Sequence, residues 1–476
     1  MDGTIIQFVK GVVFFPKELT ESAGAKVLLS LTSWLCAENS DAVCIAVCEA
    51  LAGAASFSHD LAQAIVDAGA VPALLQLLGQ RSTSVRLAAM GCLVNIVNQC
   101  DSARKLVISP QHNGLHSIAT MLADLPHEGC RNLACALLQG VSMLPSSDKH
   151  FTSIGLAKTI VRIAATSAEE ATISSALGVL ANVSCGSPET RTFLCGEGVV
   201  AHCIISLRRY SNPLVADPAL RLLTSLMQDT DARVQVVAAS GAGLIMDLLL
   251  PNGERPLSTC LLAACALRNL AMEDGVRATL CTAGAAATIV KLIKIALKLP
   301  GDDSMEIIAG SMACLRNLAF SSEADVATRL YRDGALTTAS ALISDPDISD
   351  AVVALSCTAV ANMFDCPSSP HLCIDNTSPQ PPPPPTPGAP STTLFVSNAS
   401  RSSSFGLSFK FVKASVTMPA LVLQPPQSKW FLLTATPASK PVILAGCPFY
   451  RRSLATLVMP WRSSLSWPSG TLRSVM

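Results

Sequence analysis

Hydrophobic and polar positions return together along this chain at an interval of about 43 residues. The polar marker is an amide or a serine, and the gaps between successive markers are 44, 43, 43, 44, 48 and 45 residues. The markers, here called ladder positions, are Asn95, Gln139, Asn182, Ser225, Asn269, Asn317 and Asn362. Each lies two residues after an aliphatic side chain, as Asn95 follows Leu93. The same face of a helix therefore recurs once per interval.

Glycines provide a second register with nearly the same period. They are Gly24, Gly69, Gly114, Gly155, Gly198, Gly241, Gly284 and Gly334. A stretch with apolar residues at helical spacing follows them, as in AVPALLQLL from Ala70 to Leu78. The two registers predict an all-α solenoid of eight units, whose apolar faces are buried only by stacking. Each unit should contain a short first helix, a second helix after the glycine and a longer third helix that carries the ladder position.

Local signals mark where some helices begin. Ser187-Pro188 and Asp217-Pro218 are each predicted to start a helix, with the side-chain oxygen as N-cap and proline as the first residue. Asp101 and Asp274 lie near the expected starts of first helices, where an acid favours the helix dipole. The extra residues between Gly284 and Asn317 are expected in a loop.

The repeat pattern divides the chain into three segments. It covers residues 24–365, and residues 1–23 are predicted to form an N-terminal cap or partial helix. After Cys366 the periodicity stops, a run of five prolines occupies Pro381 to Pro385, and no acidic residue follows Asp375. Residues 1–365 carry a net charge of −8 and residues 366–476 one of +8, although the whole chain is neutral. Residues 366–476 are thus predicted to be a Pro/Ser-rich, basic, disordered tail.

Composition favours a protein that resides in a reducing compartment. The 18 cysteines include no CxxC pair, and several lie beside ladder positions, where free cysteine acts as a small buried hydrophobe. The apolar run at the N-terminus contains Asp2 and Lys10 and lacks the flanks of a signal peptide. No stretch reaches the roughly 18 apolar residues of a membrane span. The chain is therefore expected in the cytoplasm, with the nucleus, cytoskeleton or cilium as alternatives.

No catalytic, cofactor-binding or metal-binding motif is found in the sequence. His112, His116, His127 and Cys130 lie close together, but Asn113-Gly114 between the first two marks a unit boundary, and no HExxH motif is present. Walker, GxSxG and Rossmann fingerprints are absent too. The sequence accordingly predicts no enzyme, no cofactor and no metal site.

Three segments resemble armadillo repeats: CALRNLA from Cys265 to Ala271, CLRNLAF from Cys314 to Phe320, and DAGAVPALLQLL from Asp67 to Leu78. The resemblance implies a right-handed armadillo-type α-solenoid of about eight repeats that acts as a protein interaction scaffold, as in β-catenin-like proteins. In that family, asparagines of the third helices line a concave groove and bind the backbone of an extended peptide. The corresponding candidates here are Asn95, Asn182, Asn269, Asn317, Asn362, Arg268 and Arg316.

Two readings of these asparagines stay open, because each amide can bond either a peptide or the neighbouring repeat. Armadillo proteins of the importin-α type carry tryptophan four residues before the asparagine. Here those positions are Gly91, Cys135, Gly178, Arg221, Cys265, Ala313 and Thr358. This disfavours a conventional nuclear-import receptor and leaves a divergent nuclear-transport adaptor as an alternative.

Charge and composition suggest the kind of partner. The acidic repeat segment favours a neutral or basic protein or peptide ligand. The tract from Pro381 to Pro385 fits SH3, WW or profilin-type domains, which bind polyproline. A second hypothesis assigns the basic tail to nucleic acid or a membrane surface, although dispersed basic residues without a motif make nucleic acid the weaker choice.

Overall fold

The computed structural model describes residues 2–13, 22–36, 39–80, 82–124, 127–145, 147–252, 255–299, 301–321, 323–365, 395–396 and 431–432. The helices come in threes along the chain. The bounds are α1 Asp2–Val13, α2 Ser22–Ser33, α3 Asp41–Phe57, α4 His59–Asp67, α5 Ala70–Gln80, α6 Thr83–Gln99, α7 Asp101–Ile108, α8 Gly114–Asp124, α9 Glu128–Val141, α10 Ser147–Ser153, α11 Leu156–Thr166, α12 Glu170–Ser184, α13 Pro188–Gly196, α14 Val199–Arg209, α15 Pro213–Leu226, α16 Thr230–Ala238, α17 Gly241–Asp247, α18 Leu257–Leu270, α19 Asp274–Thr282, α20 Ala285–Ala296, α21 Asp302–Ala319, α22 Ala324–Arg332, α23 Ala335–Ser344 and α24 Asp350–Asp365.

The chain forms two compact parts, residues 1–318 and 319–476. In the first part the third helices stack in sequence order, with α3 on α6, α6 on α9, α9 on α12, α12 on α15 and α15 on α18. We call α3, α6, α9, α12, α15, α18, α21 and α24 the ladder helices. Helix α1 packs against α3. In the second part α22, α23 and α24 pack on one another.

Strands β1 (Phe395–Val396) and β2 (Phe431–Leu432) pair antiparallel in the second part, with Phe395 opposite Leu432. The sequence did not predict this pair. Otherwise, the predicted disordered tail of residues 366–476 and the polyproline tract at Pro381 to Pro385 lie outside the described residues. The segment boundaries at residues 23 and 365 stay predictions.

The aliphatic residue that precedes a ladder position by two lies in the core in six units, as the pattern predicts. Six of these leucines are at most 1% exposed: Leu93, Leu137, Leu180, Leu223, Leu267 and Leu315. Val360 on α24 is half-buried. Burial of one such side chain contributes roughly 1.5–3 kcal/mol, so stacking of the ladder helices supplies much of the stability.

Most of the predicted glycines lie between the first and second helices of the units or begin the second helix, whereas Gly24 lies inside α2. They serve two physical purposes at these joints. At Gly155 the backbone is left-handed, with φ at 71°, a conformation that glycine adopts without a steric penalty. At the equivalent joint before α17, Ser240 takes the left-handed conformation instead. Gly241 is needed there for close approach, because a Cβ would lie 2.4 Å from Cδ1 of Ile204.

Two local predictions need correction. Ser187 caps α13 as expected and Pro188 is its first residue, but Pro218 does not begin a helix. Helix α15 begins at Pro213 after the Asn212 cap, and Pro218 lies inside it. The extra residues before Asn317 were expected in a loop. They lie partly in α21 itself, which has 18 residues where α18 has 14.

Candidate functional site

Four of the candidate asparagines hydrogen-bond to the preceding ladder helix. Nδ2 of Asn95 donates to the carbonyl oxygen of Ala52 at 3.1 Å, and Nδ2 of Asn182 donates to that of Gln139 at 3.3 Å. The remaining two bonds join Asn269 to the carbonyl oxygen of Thr224 at 2.7 Å and Asn317 to that of Arg268 at 2.8 Å. One donor in every such unit therefore reaches back across the joint between repeats.

These bonds stabilise the joints between repeats, which was one of the two readings left open. Each contributes about 0.5–1.5 kcal/mol net. Each accounts for one of the two hydrogens on the amide nitrogen. The side chains of Asn95, Asn182 and Asn317 are half-buried, whereas Asn269 is 7% exposed. Asn182 also donates to Oγ of Ser142 at 3.0 Å. Asn362 lies half-buried on α24, in the second compact part.

Arg268 and Arg316 repeat one local geometry. Nε of each donates to Oδ1 of the asparagine that follows it, at 3.2 Å in both cases. Nη2 of Arg316 makes a second bond to Asn317 at 2.9 Å. The guanidinium groups are thereby held beside the ladder position, and both side chains are half-buried. The structure thus brings each predicted arginine together with its predicted asparagine.

The position four residues before the ladder differs between units. At Gly91 a Cβ would meet nothing within 4 Å, so there is open space. At Gly178 a Cβ would lie 2.6 Å from Nε2 of Gln139, so the amide of the preceding unit occupies that space. Arg221 is exposed at the same position on α15, and Cys135 is buried on α9. These positions therefore present different chemistry on a shared backbone.

An arginine clasp that was not predicted from the sequence is formed by Arg104, Arg233 and Arg277 on the first helices α7, α16 and α19. Each guanidinium donates to carbonyl oxygens at the end of the preceding ladder helix. Nε of Arg277 donates to the carbonyl of Ala271 at 2.7 Å and Nη2 to that of Met272 at 3.0 Å. Such carbonyls have no partner within their own helix, so a cation is favourable there. Arg277 is 6% exposed.

A spacing in the sequence could have revealed part of this clasp. Asp101 and Asp274 were read as acidic residues at helix starts, and they do lie in the first turns of α7 and α19. Each also pairs with the arginine three residues later, Arg104 and Arg277 respectively. The Asp-x-x-Arg spacing at the start of a first helix was therefore a usable signal.

Further ion pairs join successive first helices or the loops before them. Nε of Arg191 lies 2.9 Å from Oδ2 of Asp229, and Nε of Arg233 lies 3.4 Å from Oε2 of Glu273. The arginines are largely buried and the acids about one third exposed. These pairs tie neighbouring units together on the side of the first helices, while the asparagine bonds do so on the ladder helices.

Cysteine chemistry is suppressed along the ladder helices. Burial raises the pKa of the Cys135 thiol to about 12, with smaller contributions from Cys130 and Glu128. Burial also raises the pKa of Cys265, but Arg268 lowers it and Glu306 raises it further. Cys92, Cys135 and Cys314 are fully buried as predicted, whereas Cys265 is only half-buried. A buried protonated thiol is a poor nucleophile.

The histidines that were considered as metal ligands do not form a common site among the described residues. The ring of His127 accepts from the backbone N–H of Cys130 at 3.2 Å and caps α9, while His116 lies on α8. Within the part of the chain that is described, no group of three or more His, Cys, Asp or Glu side chains could hold a metal ion.

Among the described helices, none alone combines the length and apolar composition needed to cross a membrane. Two bent pairs, residues 59–79 and 274–296, reach that length and composition only when taken together.

Helices in threes with an inter-unit hydrogen bond define an α-solenoid repeat protein, and comparisons with known proteins identify the type. Residues 58–97 match the family model for the armadillo/β-catenin-like repeat. Over 88 residues the chain is 34% identical to importin subunit alpha-3 of Arabidopsis thaliana, which is 18% of this chain and 16% of that protein. The chain thus spans about a sixth of that relative's length.

A solved structure shares this fold. The crystal structure of an engineered protein from the Northeast Structural Genomics Consortium has a TM-score of 0.67 at 22% identity, over 78% of this chain and 87% of that one. A designed armadillo repeat protein has a TM-score of 0.46 at 19% identity, over 51% of this chain and 99% of its own. The chain has an armadillo-type α-solenoid fold, and its residues 58–97 match an armadillo repeat, as the sequence resemblance implied.

Proposed function

We propose that this protein is a non-enzymatic scaffold that binds an extended or helical segment of a partner protein along its ladder helices. The carrying observation is the row of ladder amides, of which Asn95, Asn182 and Asn317 are half-buried. Asn95 and Asn317 each use one amide hydrogen between units and keep the other for a ligand. Asn182 donates both hydrogens, to Gln139 and to Ser142, so it offers a ligand its Oδ1. An amide can pair with a peptide carbonyl and N–H together, so a row of them suits a peptide backbone.

The sequence favoured a neutral or basic partner, and the ladder helices from α3 to α12 fit that preference best. Glu49 on α3 is exposed there, and Gly91 leaves open space beside Asn95. A peptide backbone could approach closely at such a glycine. Over this stretch we propose that an uncharged or basic segment is bound mainly through its backbone.

The test begins with a pull-down that uses the full chain and mass spectrometry to identify the bound proteins. A peptide from the partner is then titrated against a triple variant, Asn182→Ala, Asn269→Ala and Asn317→Ala. Each lost amide bond should weaken binding about two- to tenfold, so the triple variant should nearly abolish it. Gln235→Ala is the control, because that amide is also half-buried but lies on a first helix, α16.

Circular dichroism and melting must show that the triple variant is folded, since the same amides join the repeats. If the folded triple variant binds the peptide as tightly as the Gln235→Ala control, the ladder serves repeat packing alone. The partner would then be held elsewhere.

A divergent nuclear-transport adaptor is the second candidate, because 88 residues are 34% identical to importin subunit alpha-3. The positions where tryptophan would stand, such as Gly91 and Gly178, do not supply the aromatic pockets of that class. Titration of a basic nuclear-localisation peptide against the full chain separates the two. Micromolar or tighter binding would favour transport, while its absence beside a different pulled-down partner would favour the scaffold.

A cytoplasmic or nuclear location is part of the proposal. The described cysteines are free thiols, and many of them lie in the core. Such thiols are retained without crosslinking in reducing compartments. Fluorescence microscopy of the tagged full chain tests this, and secretion into the medium would contradict it.

A further inference from the structure

Charge is distributed unevenly along the ladder helices. The stretch from four residues before the ladder position to the helix end contains no charged residue in α6, α9 or α12. The same stretch contains one arginine and no acid in each of α15, α18 and α21, namely Arg221, Arg268 and Arg316. We call these three residues the arginine row. The net charge of −8 over residues 1–365 conceals this local concentration.

Hydrogen bonds join the three successive ladder helices that carry the arginine row. Asn269 bonds the carbonyl of Thr224 on α15, and Asn317 bonds the carbonyl of Arg268 on α18. Arg221 is exposed and lies three residues before Thr224, so it shares that face one turn earlier. Packed helices have axes 8–10 Å apart, so successive members of the row are about 10 Å apart.

The surroundings leave the row with a net positive charge. Two acidic groups lie nearby: Glu306 on α21, which raises the pKa of Cys265 while Arg268 lowers it, and Asp217, one turn before Arg221 on α15. Three arginines against these two carboxylates give a local charge of +1. Charges beyond a Debye length of about 8 Å are largely screened at physiological salt. The local row, and not the distant acids, therefore determines what an approaching segment meets here.

We propose that Arg221, Arg268 and Arg316 bind an extended acidic segment of a partner, with carboxylates about three residues apart. An extended chain advances about 3.3 Å per residue, so three residues match the spacing of about 10 Å between helices. Guanidinium groups suit this role because they stay charged and pair with carboxylates in two-point geometry. The inference rests on the proposed binding function of the ladder helices. It assigns the chemistry of the ligand segment that lies along α15, α18 and α21.

The experiment uses the full chain and a dye-labelled peptide of about a dozen residues, with Glu at every third position and Ser or Thr elsewhere. Fluorescence anisotropy measures its binding. A peptide with Gln in place of Glu reports on backbone binding alone. The test variant carries Arg221→Gln, Arg268→Gln and Arg316→Gln. The control carries Lys291→Gln, Lys294→Gln and Lys298→Gln, because these exposed lysines lie on or just after the second helix α20.

The two variants remove the same charge from different surfaces. The arginine variant should weaken Glu-peptide binding about eightfold or more, from about two- to fivefold for each of the three pairs. The lysine variant should change it less than twofold. Equal weakening in both variants would overturn the proposal, because it would indicate nonspecific attraction. Arg221→Gln alone guards against misfolding, since the structure records no hydrogen bond or ion pair that this exposed side chain makes with the described residues.

Failure of this inference is distinguishable from failure of the groove. If the Asn182, Asn269 and Asn317 variant weakens both peptides while the arginine variant weakens neither, the groove stands and the acidic preference is wrong. If neither variant affects either peptide, both proposals fail. If only the arginine variant acts, and only on the Glu peptide, the row binds acids without help from the ladder amides, and the arginine inference stands without the groove proposal.

Discussion

The ladder helices from α6 to α12 and those from α15 to α21 share one joint and present two chemistries. In both stretches an asparagine donates to a carbonyl of the preceding ladder helix, as Asn182 does to Gln139 and Asn269 does to Thr224. In the first stretch Gly91 and Gly178 stand four residues before the asparagines, whereas in the second Arg268 and Arg316 stand immediately before them. The hydrogen bond between units is thus separate from the side chains that surround it. The binding chemistry of the surface can therefore vary while the stacking of the repeats stays the same.

The largest effect should come from the buried leucines that pack the ladder helices in both stretches. Leu180→Ala in the first stretch and Leu223→Ala in the second each remove a side chain that is at most 1% exposed. Each should cost about 2–5 kcal/mol of unfolding free energy, because a cavity remains in the core. Urea unfolding measures both. Losses that differ by more than about 3 kcal/mol would show that the two stretches do not share one framework.

The arginine clasp should matter nearly as much. Arg277→Ala leaves the carbonyls of Ala271 and Met272 without their donor in a region where the side chain is 6% exposed. A loss of about 2–4 kcal/mol is expected. Arg277→Lys should recover only part of this stability, because an ammonium group cannot reproduce the forked geometry with which the guanidinium reaches both carbonyl oxygens. Full recovery by lysine would mean that the charge alone matters.

Alkaline pH should distinguish Cys135 on α9 from Cys265 on α18, which occupy the same position before the ladder. A thiol whose folded pKa is raised stabilises the fold fully below its unfolded pKa of 9.0, and that contribution is lost as pH rises towards the folded value of about 12 for Cys135. The loss is about 1.4 kcal/mol per pH unit for a fully protonated folded thiol.

Between pH 8 and pH 10 the melting temperature of Cys135→Ala should therefore fall less steeply with pH than that of the unaltered protein. Cys265→Ala should change the slope less, because Arg268 lowers the pKa of that thiol. Equal slopes for both variants would contradict this difference between the stretches.

Loss of a ladder amide should cost about 1 kcal/mol in the absence of any ligand. Asn269→Ala should lower the free energy of unfolding more than Asn95→Ala does. Asn269 is 7% exposed, so the carbonyl of Thr224 would be left without its donor in a dry environment. Chemical denaturation of the two variants measures this. A neutral Asn269→Ala would show that the inter-unit bond does not stabilise the joint.

The smallest effect should come from the two glycines before the ladder. Gly91→Ala should stabilise by about 0.5–1 kcal/mol, because alanine favours a helix and its Cβ meets nothing within 4 Å. Gly178→Ala should gain less, since Gln139 must move away from the new methyl group. Thermal melting compares them, and a larger gain at Gly178 would mean that the Gln139 side chain does not pack there.

Sequence periodicity predicted the architecture because it records which residues must be buried. The leucine before each ladder position and the glycine between the first two helices need only local geometry and a stacked neighbour, so Leu137 and Gly155 behave as expected. The family model and the engineered protein of the same fold confirm the armadillo prediction.

Partners across a joint could not be predicted in the same way. The acceptor of Asn317 depends on how α21 is rotated against α18, and a one-dimensional pattern does not contain that angle. The arginine clasp was missed for the same reason, because Arg233 serves the carbonyl ends of another helix. Pro218 was misread as a helix start because Asn212, a better cap, lies six residues earlier.

The four bonds from ladder asparagines to main-chain carbonyls all run in one direction, to the unit before. A main-chain carbonyl is present whatever the residue, so the receiving unit contributes no sequence requirement of its own. Any unit that carries the amide can in this respect follow any other. The bond from Asn317 keeps its length of 2.8 Å although its unit is the longest by interval. An array joined in this manner can gain, lose or exchange whole units during evolution while its joints remain compatible.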